Sequence, residues 1–199
     1  MPHMSYDKTT SKTVAGEKIH YGILYGNEKI VFIKVGTDGN VRGYQDKYLQ
    51  MAHRLHVSLG ATVICASNPD VDYDVQVAAD KTMISKVASE CGFADYEGYF
   101  VGTSDGGYQN LLLAQQVPQA RKLLGINVSL KTLADLVIQL QKLPHVEKIL
   151  VYGTKDEIFR YIPTLQAAAC ENLEIINVEG ANHEFKGMVD EFIALIDLL

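Results

Sequence analysis

Residues 97–107 read Glu-Gly-Tyr-Phe-Val-Gly-Thr-Ser-Asp-Gly-Gly. The short apolar strand Tyr99-Phe100-Val101 runs into Gly102-Thr103-Ser104-Asp105-Gly106, and the apolar run Leu111-Leu112-Leu113-Ala114 follows. This is G-x-S-x-G with a strand before it and a helix after it. A serine at the tip of so tight a turn is held in a strained conformation that points its Oγ away from the sheet. The chain bends this sharply only if the positions two before and two after the serine carry almost no side chain. Gly102 and Gly106 meet that demand. The helix that starts just after Ser104 aims free N–H groups and its positive dipole end at the same spot.

A turn serine that merely caps its helix would look similar over these few residues. The rest of the chain separates the two readings. A serine hydroxyl attacks at neutral pH only if a histidine takes its proton and a carboxylate orients that histidine. On a strand-turn-helix architecture the order is serine, acid, histidine, each at the carboxyl end of a strand. The strand Lys148–Tyr152 is followed by Gly153-Thr154-Lys155-Asp156, and the strand Leu173–Val178 by Glu179-Gly180-Ala181-Asn182-His183. Asp156 has a neighbouring rival in Glu157; its shorter side chain suits a fixed bond to an imidazole. The preceding strand, Leu123–Val128, offers no carboxylate until Asp135. The other histidines fit less well. His3 lies in the loose start Met1-Pro2-His3-Met4, His20 in an early strand, and His145 in a turn after Pro144. His53 and His56 share a helix face, but no Cys or third His stands near them to complete a metal site.

From about Lys18 to Leu199 the chain resembles the α/β-hydrolase family. Gly102–Gly107 is similar to its nucleophile elbow, Gly153–Asp156 to its acid loop, and Gly180–Phe185 to its histidine loop. The Ser-Asp-Gly-Gly elbow is similar to that of valacyclovir-hydrolase-like and carbon–carbon hydrolase branches. The resemblance implies Ser104 as nucleophile, His183 as base and Asp156 as its orienting acid, with neither metal nor organic cofactor. Two backbone N–H groups would hold the developing oxyanion: that of Asp105, after the nucleophile, and that of Thr37, in the loop after Lys29–Val35. The family's usual His-Gly in that loop is Val35-Gly36 here, which bears on loop geometry. Gly36, Gly39 and Gly43 have the spacing G-x-x-G-x-x-x-G, which is not a dinucleotide fingerprint, and no phosphate loop ends in Gly-Lys-Ser/Thr.

Composition bounds the partners. The chain has 199 residues, 47% hydrophobic and 21% charged, enough for one domain with one sizeable core. A formal net charge of −6 argues against nucleic acid, which needs a basic stripe. No apolar run has the length of a membrane span, and the N-terminus lacks a signal-peptide core. Three widely spread cysteines, Cys65, Cys91 and Cys170, fit free thiols in a reducing cytoplasm. The expected partner is a small acyl molecule; oligomeric state is not legible.

Val/Ile-rich strands alternate with helical periods at about Gly43–Leu59, Val75–Cys91, Thr132–Leu143 and Phe185–Ile196. They predict an α/β fold: a mostly parallel sheet of about seven strands, covered by helices on both faces. Residues 1–16 are expected as a loosely attached start and 17–199 as the domain. Lys18–Leu24 and Lys29–Val35 read as a hairpin about Gly26-Asn27, placing an antiparallel strand at one edge. Between Val128 and His145 only one helix fits, so no cap domain is expected and the site should be an open cleft. Its other wall is expected to be Ser67–Asp74. Asp70, Asp72 and Asp74 there, with Asp38 and Asp105, read as a solvated loop or as an acidic rim for cationic substrates such as aminoacyl esters. The expected function is hydrolysis of a small carboxylic ester, thioester or amide; the alternative is a hydrolase-fold binding protein without activity.

Overall fold

The computed structural model describes residues 4–168 and 170–199. Eight strands form one sheet: β1 (Lys8–Val14), β2 (Glu17–Leu24), β3 (Asn27–Lys34), β4 (Ala61–Ala66), β5 (Glu97–Thr103), β6 (Ala120–Ile126), β7 (Glu147–Gly153) and β8 (Leu173–Val178). Their spatial order is β1-β2-β4-β3-β5-β6-β7-β8. From β4 to β8 every pairing is parallel, whereas β2 runs antiparallel to both β1 and β4. The central strands are continuous apolar runs because helices cover both faces. On one side α2 (Tyr73–Glu90), α3 (Asp105–Ala114), α4 (Leu133–Gln141) and α5 (Ile162–Ala167) pack Val77, Ile84, Leu111, Leu136 and Ile162 against Phe32, Ile64 and Phe100. On the other, α1 (Lys47–Leu59) and α6 (Val189–Ala194) pack Leu49, Leu55 and Phe192 against Val31, Val63, Val101 and Ile126. One helix, α4, separates β6 from β7, so no cap stands there. No described helix is long and apolar enough to cross a membrane.

Three expectations are corrected. The start of the chain is not loose: Lys8–Val14 is an edge strand paired with β2 from Lys8↔Ile23 to Val14↔Glu17. Its Thr-rich alternation has the β-branched content of a strand but no apolar run, so hydropathy misses it. Residues 1–3, including His3, lie outside the described residues. Nor do β2 and β3 form a hairpin. β4 inserts between them, because six consecutive buried residues need a partner on each side. The antiparallel strand therefore stands second from the edge. The turn between them runs tight against the start of β4, where a Cβ on Gly26 would lie 2.3 Å from the Gly60 carbonyl oxygen. Finally, the C-terminal stripe begins outside its helix. Phe185 sits in a turn at φ 55°, α6 starts only at Val189, and a tighter 3₁₀ turn ends the chain.

Candidate active site

At the end of β5 the chain reverses into α3 through Ser104, whose φ of 52° is a left-handed value a non-glycine residue rarely adopts. The turn is held on all sides. Ser104 N–H donates to the Ile126 carbonyl at 2.8 Å, and its own carbonyl accepts from Gly107 N–H at 3.0 Å and Ser129 N–H at 3.1 Å. The elbow glycines are required by approach rather than by φ. A Cβ on Gly102 would stand 2.4 Å from Gly107 Cα, and one on Gly106 would stand 2.2 Å from the Val35 carbonyl oxygen.

Three residues from three loops converge at this tip. Ser104 Oγ lies 2.8 Å from His183 Nε2, and His183 Nδ1 lies 2.7 Å from Asp156 Oδ2. With the proton on Nδ1 directed at the carboxylate, Nε2 is free to accept from the serine hydroxyl. The Asp156 side chain is buried, and its second oxygen accepts from Ile158 N–H at 3.0 Å. One carboxylate therefore caps the turn after β7 and meets the imidazole at once. The rival Glu157 is exposed and makes neither contact.

The loop after β3 comes down beside Ser104. A Cβ on Gly36 would lie 3.3 Å from Ser104 Cβ, so a side chain there would press on the serine. Thr37 N–H and Asp105 N–H, the two expected oxyanion donors, have no hydrogen-bond acceptor among the described residues. The buried Tyr48 hydroxyl lies 2.9 Å from Thr103 Oγ1, joining α1 to the residue before Ser104. Burial pushes that phenol up to about 12.

Sequence reasoning missed two residues just after β6. Ser129 Oγ lies 2.9 Å from Ser104 Oγ. Asn127, almost fully buried at φ 45°, locks the histidine loop to the acid strand. Its Nδ2 donates to the carbonyls of Asn182 at 3.1 Å and His183 at 2.9 Å, and its Oδ1 accepts from Gly153 N–H at 2.9 Å. A polar residue directly after the end of an apolar strand was the available signal. Because Asn127→Ala removes three bonds in a buried place, each worth about 1 kcal/mol, it should lower the melting temperature. Reactivity of Ser104 should fall more than the loss of folded protein explains, which labelling per folded molecule would measure.

A cavity of about 520 Å³ opens at Ser104 and His183. Its walls are the loop after β3 from Gly36 to Gly43, the turn before α1 with Tyr44, the start of α1 with Lys47 and Tyr48, and the histidine loop with Glu184 and Lys186. Ile126, Val189 and Phe192 complete it. The acidic rim is not found there. Asp38, Asp70 and Asp72 do not line this cavity, and the segment Ser67–Asp74 is not its wall. Asp72 instead caps α2, accepting from Asp74 N–H at 2.9 Å, and Asp38 sits in a left-handed turn tied to Asn68. The Asp105 carboxylate is turned inward, accepting from Tyr73, from Asn68 Nδ2 at 3.1 Å and from Gln109 Nε2 at 2.8 Å. His53 and His56 are likewise engaged, each facing a backbone carbonyl.

No family model matches this sequence, and no curated protein does. Solved structures do match its fold. An α/β serine hydrolase homologue from Coxiella burnetii superposes with TM-score 0.75 at 15% identity, covering 99% of each chain. Dienelactone hydrolase from Anabaena variabilis gives TM-score 0.68 at 15% identity, over 98% of this chain and 97% of that one. Est1E from Butyrivibrio proteoclasticus gives 0.67 at 13% identity, over 96% of each. With its strand order, its elbow between β5 and α3 and these neighbours, the chain is an α/β-hydrolase-fold protein.

Proposed function

We propose that the chain is a serine hydrolase acting on a small carboxylic ester or related acyl compound. The observation that carries this is the unbroken run from Ser104 Oγ to His183 Nε2 at 2.8 Å and from His183 Nδ1 to Asp156 Oδ2 at 2.7 Å. In this reading His183 takes the Ser104 proton as Oγ attacks the acyl carbon. Asp156 holds the imidazole in the required tautomer and stabilises its charged form. The N–H groups of Thr37 and Asp105 receive the oxyanion; one such donor is worth roughly 3–4 kcal/mol in the transition state. His183 then returns the proton to the leaving group, and water, activated the same way, releases the acid from Ser104. The cavity volume lies within the range of small-molecule sites, and its tyrosines and Phe192 provide an apolar wall the sequence did not suggest.

Labelling with a fluorophosphonate probe tests the proposal without knowledge of the substrate, since only an activated serine displaces the fluoride. Wild-type protein should be labelled at Ser104 within minutes, and Ser104→Ala should not be labelled. An unreactive wild type would leave the alternative, a hydrolase-fold binding protein without activity.

A further inference from the structure

Lys47 stands where a lysine is disfavoured twice over. It is the first residue of α1, at the positive end of the helix dipole, where a cation is destabilising. It is also drawn in from solvent, so burial lowers its ammonium below the ordinary lysine range. Its Nζ lies over the rings of Phe192 at 4.4 Å and Tyr48 at 5.2 Å. Among the described residues its one hydrogen bond is a 3.4 Å contact with the Glu184 carbonyl oxygen. An ammonium carries three donors, so this one retains unused capacity. The nearby Asp46 carboxylate is turned to Arg42, at 2.7 Å. Sequence rules broken in this way belong at functional sites more often than elsewhere.

The position of the charge gives it a use. Lys47, Lys186, Ser104 and His183 all line the same cavity. Tyr48 spans the interval: Lys47 overlies its ring, and its hydroxyl meets Thr103, the residue before the nucleophile. Among the described residues Glu184 is the one acidic side chain in the wall, against two lysines, and Tyr44, Tyr48 and Phe192 line the same cavity. We propose that this cavity selects esters bearing an anionic group, a carboxylate on an aromatic or branched apolar body, with Lys47 as the residue that binds the anion. The proposal rests on the serine hydrolase reading and names its substrate class. It reverses the cationic preference expected from Asp70 and Asp72, which do not line this cavity.

The experiment compares 3-acetoxybenzoate with 3-acetoxybenzamide, which share shape and leaving-group position and differ in charge. Wild-type kcat/KM should favour the carboxylate by about tenfold, expressed mainly in KM, and the ratio should shrink as salt screens the pair. Lys47→Met should bring the ratio close to one, and Lys47→Arg should restore most of it. A wild-type ratio of one or less, or a preference that survives in Lys47→Met, would overturn the proposal. Fluorophosphonate labelling of each variant reports that its site is folded. Hydrolysis of the neutral amide analogue by wild type but not by Ser104→Ala reports the underlying hydrolase separately.

Discussion

Ser104→Ala and His183→Ala are each expected to lower kcat on an activated aryl acetate by roughly 10⁴–10⁶-fold, and the double variant to be barely worse than either. The near-equality is the informative part. On the proposed mechanism His183 assists only through the proton it takes from Ser104, over 2.8 Å, so once either is gone the other has nothing to act on. Asp156→Asn should cost about 10⁴-fold, because an amide can present a donor to Nδ1 and so favour the wrong tautomer. The fold should survive in all three. Ser104→Ala deletes a hydroxyl whose contacts are His183 and Ser129, both side chains able to turn to solvent or to each other. Thermal melts alongside kcat would separate chemistry from stability. Losses that multiply in the double variant would mean that Ser104 and His183 do not act as one unit.

The reasons some of this architecture was legible in the sequence, and some was not, are physical. Gly102, Ser104 and Gly106 announce the elbow because steric demand admits almost nothing else at those offsets. Two glycines whose added Cβ atoms would fall within 2.6 Å of backbone leave a trace in the sequence. Asp156 and His183 could be singled out as candidates for a related reason: each follows an apolar strand closely, and chain order fixes which end of the sheet they reach. The rim failed because charge alone carries no direction. Asp70 and Asp72 lie in a loop at the carboxyl end of β4, but the capping bond that turns Asp72 toward its own helix leaves no mark distinct from any other aspartate before a helix. Lys47 and Phe192 failed differently. They are separated by most of the chain and meet only because α1 and α6 share one face of the sheet. The order β2-β4-β3 was missed because a tight Gly26-Asn27 connection suits a hairpin equally well. What decides it is the need of β4 for two partners, which is a property of the sheet.

The largest stability effect is expected from a lysine that takes no part in the chemistry. Lys34 ends β3 with its side chain fully buried, its Nζ 2.8 Å from Asp80 Oδ2 on α2. It also donates to Gln76 Oε1 at 3.0 Å and to the Ser67 carbonyl at 3.1 Å, while the Tyr21 hydroxyl donates to Asp80 Oδ1 at 2.9 Å. This network joins β2, β3, α2 and the residue after β4 just before the chain enters the Gly36–Thr37 loop. Lys34→Met should destabilise the protein by about 3–5 kcal/mol, because the carboxylate stays behind without its cation. The loss should depend on pH in a definite sense. Burial already raises the Asp80 carboxyl, with Lys34 the largest influence holding it down. Without Lys34 it rises further above its value in the unfolded chain. Over the interval between those two values the folded state keeps a proton that the unfolded state releases, so stability falls as pH rises. The deficit of Lys34→Met against wild type should therefore be smaller near pH 5 than near pH 8. Lys34→Met combined with Asp80→Asn should recover a substantial part of it, since the amide oxygen still accepts from Tyr21 and no charge remains buried. Urea unfolding of the three proteins at both pH values is the measurement. A deficit independent of pH, with no recovery in the double variant, would mean that Lys34 contributes packing volume and hydrogen bonds rather than a counter-charge.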